Sequence, residues 1–360
     1  MPESRELPMP FSREQALARG WTRHQVCHRV RTGQWLALRR GWYAEATRFH
    51  ELGSRARHLV SLVATLRYRG APDVGSHLSA AAAWGWPLPF NGSGPATVTS
   101  PDLARSGRRR ASLVVQIATL PQLDVRHRTI RIGDDHHTIA LTSPARTLAD
   151  CLRHLRQEDA VAIMDAAIRM GDSSIEAVRE VLDRQEPWPY LANGRHGLEL
   201  VDPRRESYLE SYSFVRLAHR GLHPEPQVTI RDATGRFVAR VDGWLDEHAI
   251  ALEADGRAKY LSEAGDAPST GDVVRSVRST MAAQMERELE LRSLGVTVVR
   301  WGTSEAVRHP DRLAGRVEAA KRTASRAAFT GTVERADPCS LRHPTRVWGT
   351  AHRPERRKPA

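Results

Sequence analysis

The sequence predicts a multidomain chain built from α+β and α/β parts, and three observations carry that expectation. Its 360 residues leave room for two or three separate cores. It opens on two short, capped helices followed by an alternating strand pair. Its last folded stretch reads helix, strand, strand, strand, helix, strand, with mixed strand-like and helix-like segments before it.

The opening elements fall within residues 1–50. In "SREQALARG", Ser12 is followed three positions later by Gln15; in "TRHQVCHRVRTG", Thr22 is followed by Gln25. Each is a capping-box pattern at a helix start, and Gly20 and Gly33 are placed to end the two helices. The second helix would bury Val26 and Val30, one turn apart, and leave Arg23, Arg29 and Arg31 on outer faces. "QWLALRRGWYA" then alternates around Arg39-Arg40-Gly41 as a small hairpin. Two helices joined by a tight turn and followed by a hairpin read as a winged helix-turn-helix. Such a helix can enter a major groove, where arginine reads guanine and its neighbours hold phosphates.

Residues 51–195 read as a mixed α/β middle. "HLVSLVATLRYRG" and "SHLSAAAAWGWPLP" suit helices, "ATVTS" and "ASLVVQIA" suit strands, and a helix should begin near Ser143-Pro144. Asp134-Asp135-His136-His137 has metal-ligating residue types, but a polar turn between strands accounts for it more simply. Pro, Asn and Gly gather in "EPWPYLANGRHG" at 186–197, which sets a boundary there. Residues 196–305 form the third part, and 306–360 are expected to be a basic helix running into a disordered tail.

Charge is distributed unevenly. The net charge is +12, carried by the ends: eight Arg against two Glu in residues 11–50, and 13 Lys or Arg against five acids in 306–360. Basic ends suit a polyanion, and DNA is the expected partner. Three scattered cysteines, no bilayer-length apolar run and no signal-peptide core point to a cytoplasmic location without a membrane partner. The sequence holds no Gly-x-Ser-x-Gly elbow, His-Glu-x-x-His motif or Walker loop.

The chemistry concentrates in "RVDGWLDEHAIALEADGRAKY", residues 240–260. A two-residue turn at Glu247-His248 would set Asp242 directly across from Glu253, with Asp255 on the same face. Like charges opposed on a sheet are destabilising, so a divalent cation is the natural neutraliser. Mg²⁺, or Mn²⁺ in its place, takes oxygen ligands; held by Asp242 and Glu253 it could polarise a phosphodiester and activate water. Lys259 is the nearest cation for charge developing on phosphate.

Two resemblances extend this reading. The two short helices and "TGQWLALRRGWYA" are similar to the N-terminal domain of the AbiEi family of type IV antitoxins, over about the first fifty residues. "TSPARTLADCLRHL" resembles a segment of longer AbiEi-like proteins. The first likeness implies operator-DNA contact by Arg23, Arg29, Arg31, Arg39 and Arg40. Residues from Glu210-Ser211 through Val241-Asp242 and "LEADGRAKY" to "MERELELRSLGVTVVRW" resemble the PD-(D/E)XK nuclease superfamily. The closer likeness is to the branch similar to very-short-patch repair endonucleases, a restriction-endonuclease-like α/β fold. It implies that Asp242 and Glu253 ligate metal and that Glu210, or Glu206 one turn before it, orients a metal-bound water. Where the superfamily carries a lysine two positions after the glutamate, this chain has Asp255. The expected function is therefore a DNA-binding, Mg²⁺-dependent endonuclease in a defence or toxin–antitoxin setting. A transcriptional regulator or antitoxin with a catalytically silent C-terminal domain is the alternative. RNA cleavage would use the same metal chemistry, and a cognate toxin or a second copy of the chain would be a further partner.

Overall fold

The computed structural model describes residues 6–105, 112–255 and 284–336. They form a multidomain mixed α/β structure with three sheets. Contacts divide it into two units. The first holds the residues up to Met164 together with Ser173–Val201 and Ser207–Arg220; the second holds Asp165–Asp172, Asp202–Glu206 and the described residues from Gly221 on.

The first unit begins with β1 (Phe11–Ser12), α1 (Arg13–Ala18), α2 (Arg23–Arg31), β2 (Trp35–Arg39), β3 (Trp42–Glu45) and α3 (Ala46–Glu51). Both capping boxes form. Ser12 Oγ accepts the Gln15 amide hydrogen and Gln15 Oε1 accepts that of Ser12; Thr22 and Gln25 do the same for α2. Gly20 and Gly33 end the helices at φ +82° and +74°, in the left-handed region where a Cβ is penalised. Phe11, Ala16, Val26, Trp35 and Tyr43 close a small aromatic core. The three strands pair antiparallel in the order β1-β3-β2.

The chain continues through α4 (Ser54–Arg69), β4 (Val74–Gly75), α5 (His77–Trp84), β5 (Ala96–Ser100), β6 (Leu113–Ile117), β7 (Val125–Ile132) and β8 (Asp135–Thr142). The strands make a mixed sheet ordered β6-β5-β4-β8-β7. One face packs on α4, and the shared core takes in Met9 and Ala44 from the opening segment. Asp135 and His137 fasten that segment from β8: Asp135 Oδ2 accepts the Met9 amide hydrogen at 2.9 Å, and His137 Nε2 lies 2.9 Å from the Met9 carbonyl. Of the run of acids and histidines only Asp134 lies in the β7–β8 turn; the other three begin β8, and two of them clamp the chain. Next come α6 (Pro144–His154), capped by Ser143, then α7 (Gln157–Arg169), α8 (Ile175–Arg184), α9 (Leu191–Glu199) and α10 (Tyr208–Ala218).

The second unit is built on β9 (Glu225–Arg231), β10 (Phe237–Leu245), β11 (Ile250–Asp255), the helical residues 284–293 (α11), β12 (Thr297–Gly302), α12 (Thr303–Arg308), α13 (Pro310–Thr323) and β13 (Thr332–Glu334). Its sheet runs β12-β11-β10-β9-β13, parallel between β11 and β12 and antiparallel elsewhere. Val228, Ile230, Val241, Trp244, Ala251 and Leu291 fill its core, and Phe329 packs on Trp244 with ring centroids 5.5 Å apart.

Candidate functional site

The β10–β11 hairpin pairs Gly243 with Leu252, Trp244 with Ala251 and Leu245 with Ile250. One further step in this register sets Asp242 opposite Glu253, as the sequence spacing requires. The connection is longer than a two-residue turn: a 3₁₀ turn spans Asp246–His248, and Ala249 takes a left-handed φ of +52°. Trp244 Nε1 donates to Asp246 Oδ1 at 2.8 Å and ties the connection to the core.

Asp242 Oδ2 accepts the Ala254 amide hydrogen at 2.7 Å. Burial pushes the Asp242 carboxyl above its ordinary range against that bond, and nearby Glu206 adds to the rise. Glu206 itself pairs with Arg240. The Glu253 side chain is 17% exposed, and its Oε1 is buried with no hydrogen-bond partner. Burial first, and the facing Asp242 second, raise Glu253 to about 7. A buried carboxyl oxygen without a donor is costly, and a facing carboxylate increases the cost.

A third residue completes the row. The parallel register puts Arg300 of β12 beside Glu253, with Arg300 Nη2 3.8 Å from Glu253 Oε2. Arg300 also donates to Glu288 of α11 at 3.3 Å. Carboxylate, carboxylate and guanidinium therefore lie across three neighbouring strands. The sequence contains "VTVVRW", but the offset between parallel strands joined by a long crossover cannot be counted from it.

Three further residues carry catalytic expectations from the sequence. Asp255 ends β11 half-buried, beside Gly302 of β12. Glu210 is buried in the first turn of α10, which belongs to the first unit, and its amide hydrogen is capped by Ser207 Oγ. Lys259 lies outside the described residues. Among the described residues, no group of three or more His, Cys, Asp or Glu side chains is arranged to hold a metal ion. The hairpin pair offers two carboxylates and one unpartnered oxygen, which fits an ion such as Mg²⁺ that takes one or two carboxylates and keeps its remaining waters.

The five arginines expected at DNA divide into two sets. Arg23 and Arg31 on α2 and Arg40 at the hairpin tip are exposed. Arg29 instead lies 4.4 Å over the Trp21 ring and donates to Gln34 Oε1 at 2.8 Å. Arg39 turns inward, donating to the Ser112 carbonyl at 2.6 Å, and burial lowers its guanidinium pKa. A cleft of about 1020 Å³ beside the hairpin is lined by Arg13, Arg40, Arg67 and His136 among others. No helix among the described residues is long and apolar enough to cross a membrane.

Two uncharacterised proteins from strains of Mycobacterium tuberculosis are each 28% identical to this chain over 177 residues. The match takes in 49% of the chain and 59% of each relative, so the chain spans less than two thirds of their length. No family model matches the chain.

Proposed function

We propose that this chain is a DNA-associated protein whose second unit hydrolyses phosphodiesters with a divalent cation held by Asp242 and Glu253. One observation carries the reading: Glu253 Oε1 is buried without a donor and faces a second carboxylate. A fold does not keep that arrangement cheaply, and a cation between the two would remove its cost. The resemblances to AbiEi antitoxins and to PD-(D/E)XK nucleases support the two halves of the proposal.

The chain's own residues would divide the work. The Ala254 amide hydrogen fixes Asp242 Oδ2, and Arg300 steadies Glu253 through Oε2 while Oε1 stays available. A bound Mg²⁺ or Mn²⁺ would supply Lewis-acid polarisation of a phosphate and a more acidic water. Exposed Arg23, Arg31 and Arg40 would hold the DNA backbone or read base edges from α2 and the hairpin tip.

Cleavage of plasmid and single-stranded DNA with Mg²⁺ or Mn²⁺, comparing wild type with Glu253→Ala, tests the enzyme. Cleavage by wild type alone is expected. Equal cleavage by both would remove the hairpin from the chemistry. A second reading rests on Arg300, which already places a positive charge beside Glu253 where a nuclease would need a cation. Under it the second unit is catalytically silent and the chain is a transcriptional regulator or antitoxin. DNA retained in EDTA, with no cleavage and no Mn²⁺ binding that depends on Asp242, would select it.

A further inference from the structure

The first unit contains a second polar site that the hairpin chemistry does not use. A cavity of about 270 Å³ opens among α5, α6, β5 and the segment before α9. Two of its lining side chains each hold a buried polar atom without a hydrogen-bond partner. Thr99 on β5 is 0% exposed and its Oγ1 makes no hydrogen bond. His77, 7% exposed, has its Nδ1 2.9 Å from Ser76 Oγ, while its Nε2 has no partner. His77 opens α5 at a φ of +52°, a left-handed conformation unusual for a non-glycine residue. Strain of this kind gathers where surrounding structure fixes a side chain for use.

The opposite wall is cationic. Arg146 and Arg153 of α6 both bond Asp150, from Arg146 Nε at 2.9 Å and from Arg153 Nη1 at 3.4 Å. Arg146 Nη1 also donates to the Thr119 carbonyl, and Arg153 donates twice to the Pro189 carbonyl. The Trp188 ring lies 4.9 Å from one guanidinium and 5.2 Å from the other. Arg146 also lies 3.4 Å from Asp124, which Arg184 engages at 2.9 Å. Three arginines thus share two aspartates, leaving one positive charge uncompensated within the cluster. Guanidiniums held by packing and backbone carbonyls are preorganised for an oxyanion.

We infer that this cavity is a binding site for a small oxyanion-bearing metabolite, a carboxylate or a phosphate. Arg146 and Arg153 supply the charge, and Thr99 Oγ1 and His77 Nε2 contact the ligand's polar atoms. Trp188 closes the site beneath the guanidiniums. A volume of this size suits a compact metabolite.

The test is titration of the full chain with inorganic phosphate and, separately, with succinate. Binding would be followed by calorimetry and by Trp fluorescence, at ionic strength matched with chloride. One of the two should bind saturably, and the fluorescence change should vanish in Trp188→Phe. Phosphate-only or succinate-only binding would assign the ligand class. Thr99→Val fills the hydroxyl's space, and His77→Asn keeps a residue that tolerates positive φ; each should weaken binding about tenfold. Near-UV circular dichroism would confirm that both variants are folded. No saturable binding of either anion by the folded protein would overturn the assignment, as would binding that both variants leave unchanged.

Discussion

Glu253 and His58 show how single buried groups set measurable properties. His58 is neutral in the fold: burial lowers it from 6.5 to about 4, and Ser79 Oγ lies 2.8 Å from its Nε2. The unfolded chain binds this proton as pH falls through 6.5, whereas the folded chain binds it only near 4. Stability is therefore complete above 6.5 and is lost progressively down to 4, by about 3 kcal/mol. Urea unfolding at pH 7 and pH 4.5 should show that loss, and His58→Gln should reduce it. At the hairpin, Arg300→Met removes the charge beside Glu253 and should cost about 1–3 kcal/mol in the metal-free protein. Mn²⁺ should restore much of that stability under the nuclease reading and none of it under the regulator reading. On α2, Arg29→Ala should lower stability by about 1 kcal/mol through its lost stacking on Trp21. Arg23→Ala and Arg31→Ala should leave stability unchanged and each reduce the salt slope of DNA binding by about 1. A gel-shift series at several salt concentrations separates the two behaviours.

Individual elements differ in how far the sequence discloses them. Capping pairs three residues apart, glycine stops and period-two alternation are local signals, so α1, α2 and the Asp242–Glu253 register could be read directly. The α6 start at Ser143-Pro144 follows from the same local chemistry. Partners contributed by distant elements could not be read. Arg146, Asp150 and Arg153 repeat at helical spacing and look in sequence like a solvated face; the packing of α5, α8 and α9 on α6, with the Trp188 ring against the two guanidiniums, buries them. Arg39 looks like a wing arginine until Ser112 captures it. The turn from α11 into β12 is tightly constrained. Gly295 has a φ of +82°, and a Cβ there would stand 2.2 Å from the Ala328 carbonyl oxygen. Gly295→Ala should therefore cost more than about 2 kcal/mol, measured by thermal unfolding.

At the scale of the whole molecule, the basic charge lies toward the chain ends and outside the hairpin chemistry. Residues 337–360 carry six Lys or Arg against two acids and lie outside the described structure. Deleting them should weaken DNA binding uniformly across sequences and flatten its salt dependence while leaving sequence preference intact. The opening segment shows the opposite kind of integration. Asp135 and His137 grip Met9, and Met9 and Ala44 sit in the core beneath the mixed sheet. A cut after residue 50 would pass through a shared interior. Exchanging this segment between relatives as a cassette would break that interior, so under the proposed function new target preferences would arise by point changes on the exposed surface of α2.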